Sequence, residues 1–194
     1  MNIFAVKNLL LLPLLLAGGA AEASVSLGFN TLSQSADALE IAVVVTGLND
    51  ASAPSLSTYD LDIQFNSAHL AFAGAAFGDP LLDSQLDLFD FGSNTTAADI
   101  TSPGVLNLFE LSLDTPEDLN QFQADSFTLA TLSFDIVTAG TSQLTITINA
   151  LGDAEGNDLA ASTVPATITA VPLPSALWLM LGGLAMVFRK ARQF

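Results

Sequence analysis

The chain has 194 residues, no cysteine, 20 Asp and Glu against 4 Lys and Arg, and a formal net charge of −16. Without cysteine there is no disulfide, no thiolate zinc site, no cysteine nucleophile and no lipid-modified cysteine anchor. No Lys or Arg lies between Ser24 and Phe188, so the chain lacks the basic stripe that nucleic acid or anionic lipid would need.

At the N-terminus Lys7 precedes the apolar run Leu9–Leu16, and Ala21-Glu22-Ala23 follows. A single positive charge, a short apolar core and small residues before a cut site predict a secretory signal over residues 1–23. Signal peptidase is the implied processing enzyme, with the cut between Ala23 and Ser24.

The body expected from this cut, residues 24–170, has a dominant period of two. Leu39–Gly47, Thr58–Asn66 and Gln143–Asn149 alternate apolar with polar side chains, as half-buried strands do. In Tyr59-Asp60-Leu61-Asp62-Ile63-Gln64-Phe65 the odd positions form the core face. Further strands are predicted over Ser24–Asn30, His69–Phe77, Gly104–Leu113, Ser126–Val137 and Thr163–Ala170. Helical spacing is nowhere sustained. Eight or nine short strands separated by Gly, Asn, Asp and Pro predict an all-β fold, an antiparallel β-sandwich. Within Ser126–Ile136 the apolar phase switches from Phe127 and Leu129 to Leu132, Phe134 and Ile136, which predicts a bulge near Ala130. Phe77–Ile100 is the least regular interval. Its Leu81, Leu82, Leu86, Leu88, Phe89 and Phe91 predict that part of it packs on the sandwich.

Candidate chemistry in the body is sparse. The only histidine, His69, stands at a strand end beside Asn66, Ser67 and Ala68 and reads as a surface or strand-end residue, since a nucleophilic site would also need an orienting acid and an oxyanion hole. No catalytic residue is assigned, and the protein is expected not to be an enzyme. Asp153, Glu155, Asn157 and Asp158 place oxygen side chains in a Gly-bracketed loop, the start of a calcium-binding pattern. The pattern departs from an EF-hand, with Asp158 at the sixth position and Val164 at the twelfth, so an acidic turn with at most weak structural calcium is expected. Asn94-Thr95-Thr96 fits a glycosylation acceptor and reads as an exposed loop tip.

After Ala170 the character changes. Pro172 and Pro174 hold Val171–Ser175 extended, because proline fixes φ and keeps the preceding residue out of the helical region. Ser175 is a fair N-cap for the uncharged apolar run Ala176–Phe188, a helix of roughly 20 Å against a hydrocarbon core of roughly 30 Å. Arg189, Lys190 and Arg192 follow. Positive flanks stay cytoplasmic, so residues 175–188 are expected in the membrane with the body outside.

The order of extended Pro motif, short apolar helix and basic tail resembles the PEP-CTERM class of bacterial sorting signals. Val171-Pro172-Leu173-Pro174-Ser175 is close to the VPLPA variant, with Leu173 where the commonest form has Glu. The resemblance implies that residues 171–194 are read by an exosortase, a membrane-embedded cysteine enzyme that cuts near the proline motif. The chain would then be anchored transiently in the cytoplasmic membrane and pass to the cell surface or extracellular matrix.

The body resembles the cohesin-like modules, which share a group of sandwiches with some carbohydrate-binding modules. The resemblance lies in Tyr59–Asn66, then Leu70 and Phe72, then Phe77-Gly78, and in Phe127–Phe134 with Gly140. Cohesins bind dockerins through a sheet face, although no binding residue carries over here. The expected function is adhesion or assembly with a surface-protein partner. The alternative is a carbohydrate-binding module for exopolysaccharide. Against it, the only Trp is Trp178 in the apolar helix, the only Tyr is Tyr59, and the phenylalanines are expected in the core.

Overall fold

The computed structural model describes residues 25–49 and 52–170. The predicted signal segment with Ala21, Ala23 and Ser24, the motif Val171–Ser175, the apolar helix and the basic tail lie outside the described residues. Among the described residues no helix is long and apolar enough to cross a membrane.

Ten strands and one helix follow in chain order: β1 (Val25–Gln34), β2 (Ala38–Thr46), β3 (Leu56–Gln64), β4 (Leu70–Phe77), β5 (Thr95–Ser102), β6 (Val105–Leu111), α1 (Pro116–Phe122), β7 (Ser126–Ile136), β8 (Gly140–Asp153), β9 (Ala161–Thr163) and β10 (Ala166–Ala170). One sheet has the order β4-β7-β2-β1-β9 and the other β10-β8-β3-β6-β5. The two pack face to face as a sandwich, with antiparallel pairing except for the short parallel contact of β9 with β1.

The alternation read from the sequence is the alternation of the core. Tyr59, Leu61 and Ile63 of β3 are fully buried, as are Leu106 and Leu108 of β6 and Ile41, Val43 and Val45 of β2. Removing these side chains from water is worth about 1.5–3 kcal/mol each. Phe134 anchors the aromatic part of the core, with Phe65 and Phe72 edge-on to it at 5.1 and 5.9 Å between centroids. The phase switch in β7 is a bulge. Val43 pairs with Ala130 but Val44 with Thr128, so Leu129 is the extra residue and the apolar face is kept on both sides of it.

Three features differ from the expectation. The strand count is ten because Thr95–Ser102 forms β5. That segment has no apolar phase of its own and is made a strand by its hairpin with β6, turned at Pro103-Gly104. Gly104 has φ +82, and a Cβ there would meet the Phe65 carbonyl oxygen at 2.5 Å. The expected last strand is split at Val164-Pro165 into β9 and β10, which belong to different sheets. Proline supplies no N–H to continue a ladder. The third is α1, whose N-cap Thr115 accepts from the Asp118 N–H and whose first position is Pro116. Thr-Pro-Glu-Asp is a helix-start signal, hidden because about two turns are too short to develop a helical period.

Part of the irregular interval packs on the sandwich, through Leu86, which is buried in the core, and through polar side chains. Asp79 accepts from the N–H groups of Leu81, Leu82 and Thr128. Burial raises its pKa, but these hydrogen bonds outweigh burial and hold the carboxyl below its usual range. The buried Gln123 amide accepts from the Leu56 N–H at 2.6 Å and donates to the carbonyls of Leu56 and Gln85, tying the interval and the end of α1 to β3.

Candidate interaction face

The outer face of the β10-β8-β3-β6-β5 sheet carries the opposite phase of the strands whose inner phase makes the core. Asp99, Asn107, Asp62 and Thr147 stand directly beside one another across β5, β6, β3 and β8. Phe109 and Asp60 form the neighbouring row of β6 and β3. The Asn107 amide donates to Asp60 Oδ1 at 2.6 Å and to Asp62 Oδ1 at 3.0 Å. A register shift in β8 leaves Asn149 between the partners of Asp60 and Leu61, and its amide donates to Asp60 at 3.2 Å. Gln64 reaches Thr147 Oγ1 at 3.4 Å.

These bonds hold Asp60 and Asp62 in place while leaving carboxylate oxygens with free lone pairs. No Lys or Arg lies among the described residues to neutralise them. The face therefore presents rigid negative charge, which favours a cationic partner and repels an anionic one.

A second polar cluster lies inside. Glu110, 1% exposed, sits in core phase with Leu106 and Leu108. It accepts from the Tyr59 hydroxyl at 2.8 Å and the Asn94 amide at 2.6 Å. Burial pushes the Glu110 carboxyl up, the bonds from Tyr59 and Asn94 offset part of that, and the charge of Asp87 adds to it. The Tyr59 hydroxyl is held well above its usual value by burial first, then by the Glu110 charge. Asn94 is thus turned toward the core rather than standing at a loop tip, and Thr95 and Thr96 begin β5. The alternation Leu106-Asn-Leu108-Phe-Glu110 is the sequence signal that would have found the buried carboxylate.

The candidate calcium residues form a hairpin turn. Asp153 accepts from the Asn157 N–H at 2.7 Å and the Asn157 amide at 3.1 Å. Glu155 turns away to accept from Asn120 of α1 at 2.6 Å. Asp158 bridges back to Gly152. Among the described residues no three His, Asp or Glu side chains gather as a metal site. A cleft of about 380 Å³ opens beside Asp79, Asp83, Asp87 and Asp90. There, Asp79 and Asp87 are turned to backbone N–H groups.

His69 lies in the turn before β4, its Nδ1 2.9 Å from the Thr138 hydroxyl. Thr138 spends its one proton on the Ala68 carbonyl at 2.7 Å, so the ring donates to Thr138 and draws no proton from it. The ring covers Gly140, where a Cβ would collide with it. This is a latch between strand ends.

No protein-family model matches the sequence, and no curated protein matches it. Solved structures do. The chain is similar to the sixth cohesin of Acetivibrio cellulolyticus scaffoldin B, solved with a dockerin (TM-score 0.57, 16% identity, 74% of this chain and 96% of that one). It is similar to a type I cohesin–dockerin complex from Clostridium thermocellum (0.57, 13%, 75% and 98%). It is also similar to a non-cellulosomal cohesin of the archaeon Archaeoglobus fulgidus (0.54, 13%, 79% and 96%). At these identities the likeness is one of fold. The body is a cohesin-like sandwich.

Proposed function

We propose that this is an exported, non-enzymatic bacterial protein whose sandwich holds a partner protein at the cell surface or in the extracellular matrix. The observation that carries the reading is the acidic row Asp99-Asn107-Asp62 on the outer face of a cohesin-like sheet, in which Asn107 holds Asp62 and the flanking Asp60. Two of the solved structures of this fold are complexes with dockerins, which supports protein binding as the use of such a face. The bonding around His69, which leaves it no proton to take from Thr138, supports a non-catalytic role.

In this reading residues 1–23 are the cleaved export signal and 24–170 the binding module. Residues 171–194 are a sorting signal of PEP-CTERM type, recognised by an exosortase through Val171–Ser175 and oriented by Arg189, Lys190 and Arg192. The alternating basic-poor body and basic ends support that orientation.

The test uses the full chain at the surface of the cell that makes it, cross-linked in place. Wild type is expected to yield a defined protein adduct that Asp60→Lys with Asp62→Lys abolishes. Thr167→Lys on β10 should retain it. Loss of the adduct with neither variant, or capture of polysaccharide alone, would reject protein binding by this face. The second outcome would favour the carbohydrate-binding alternative.

A further inference from the structure

At the end of the sandwich formed by α1 and the 79–94 segment, three phenylalanines break the expectation that this residue type lies in the core. Phe91 is 77% exposed, Phe122 54% and Phe89 48%. They form one cluster, with Phe89 5.8 Å from Phe91 and 6.3 Å from Phe122 between ring centroids. Single exposed apolar side chains need no explanation, but a contiguous aromatic patch marks a binding surface. The segment bearing it is held in place. Asp87 accepts from the N–H groups of Phe91 and Gly92, and Asp114 accepts from the Leu88 N–H. A patch held in this way pays little ordering entropy when a partner lands on it.

Charge and ring geometry select the occupant. Asp90 lies between Phe89 and Phe91, Asp114 is bonded to Leu88, and Glu117 and Asp118 share the helix of Phe122. No cation lies among them. A second copy would bring the same acidic rim against this one in a chain of net charge −16, and like charges set against each other across an interface disfavour it. A sugar ring stacks on a flat platform, whereas the Phe89 and Phe122 planes meet at 74° and those of Phe89 and Phe91 at 33°. The facets suit apolar side chains inserted between rings.

We propose that Phe89, Phe91 and Phe122 form a second docking surface, distinct from the outer sheet face, for a protein segment with an apolar stripe bordered by Lys or Arg. The two surfaces share no residue. The patch also lies at the end of β8 opposite the one where β10 finishes, since Asn120 of α1 bonds Glu155 just beyond Asp153, whereas Ala170 pairs with Gly140. Those ends of β8 are roughly 40 Å apart at the rise of an extended strand.

The probe is a labelled amphipathic helical peptide with Leu on one face and Lys on the other, titrated into the full chain in neutral detergent and read by fluorescence anisotropy. Phe91→Ser with Phe122→Ser should weaken binding at least about tenfold, as loss of aromatic interface anchors does. Asp90→Asn with Glu117→Gln should weaken it several-fold and flatten its salt dependence. Phe91→Ser alone, at the most exposed ring, guards against misfolding as the cause and should still weaken binding. Four results would overturn the proposal: unchanged affinity in these variants, equal binding of a Leu/Glu peptide, a patch-dependent dimer in sedimentation, or displacement of the peptide by a glycan. None of them touches the adduct test at Asp60 and Asp62, so the two readings fail separately.

Discussion

The Tyr59 hydroxyl donates to the Glu110 carboxylate at 2.8 Å, in the core of a domain whose described residues include no Lys or Arg. The Tyr59 hydroxyl and the half-buried Asn94 amide are the two neutral donors around this single acid. Burial raises the folded-state pKa of Glu110 above the ordinary glutamate value of about 4.3. A raised carboxyl favours the fold fully below the unfolded value and loses that contribution as pH rises through the folded value. Wild-type stability should therefore fall relative to Glu110→Gln as pH rises from about 4 toward neutrality. Glu110→Ala should cost about 1–3 kcal/mol by leaving Tyr59 and Asn94 without their acceptor. Urea denaturation at several pH values measures both, and parallel pH curves for wild type and Glu110→Gln would contradict the first.

The ring of His69 occupies the space a side chain would need at Gly140, where φ is +152. Gly140→Ala should destabilise by about 1–3 kcal/mol through overpacking. In a His69→Ala background the same substitution should cost less, because the ring it would strike is gone. A double-mutant cycle by thermal denaturation reads the coupling, and strict additivity would mean that the ring is not what Gly140 accommodates.

Calcium should act on this chain as general ionic screening. The Asp153 carboxylate is taken by Asn157, and Glu155 by Asn120. The carboxylates repel one another with no cation between them, so any added salt relieves strain in the charge distribution. The melting temperature in calcium should match that in sodium salt of equal ionic strength. A further rise, abolished by Asp153→Asn, would instead establish a site in the 153–158 turn.

If residues 171–194 are the sorting signal proposed above, replacing Pro172 and Pro174 with Ala should leave the chain inserted and unprocessed, since a membrane protease needs the extended backbone that proline enforces. Neutralising Arg189, Lys190 and Arg192 should impair insertion or its orientation. Intact mass of the surface-released protein decides. A product ending near Val171–Ser175 is expected, and one that still carries Trp178–Phe194 would make the helix a permanent anchor.

Period-two alternation located β2, β3 and β8 because in a strand each side chain points opposite to its neighbour, so burial is written locally. For the same reason the phase switch in Ser126–Ile136 announced its bulge, seen at Leu129. The charge map was equally plain, being composition alone. What only the tertiary structure decided depends on partners far along the chain. Thr95–Ser102 is a strand because β6 lies beside it, and β9 and β10 enter different sheets although two residues separate them. Asn107 became a bridge only when pairing of β3 with β6 set it beside Asp60 and Asp62. Phe89, Phe91 and Phe122 face solvent on a path set by Asp79, Gln85 and Asp87, which satisfy backbone groups of the loop, of the chain just after the helix and of β7.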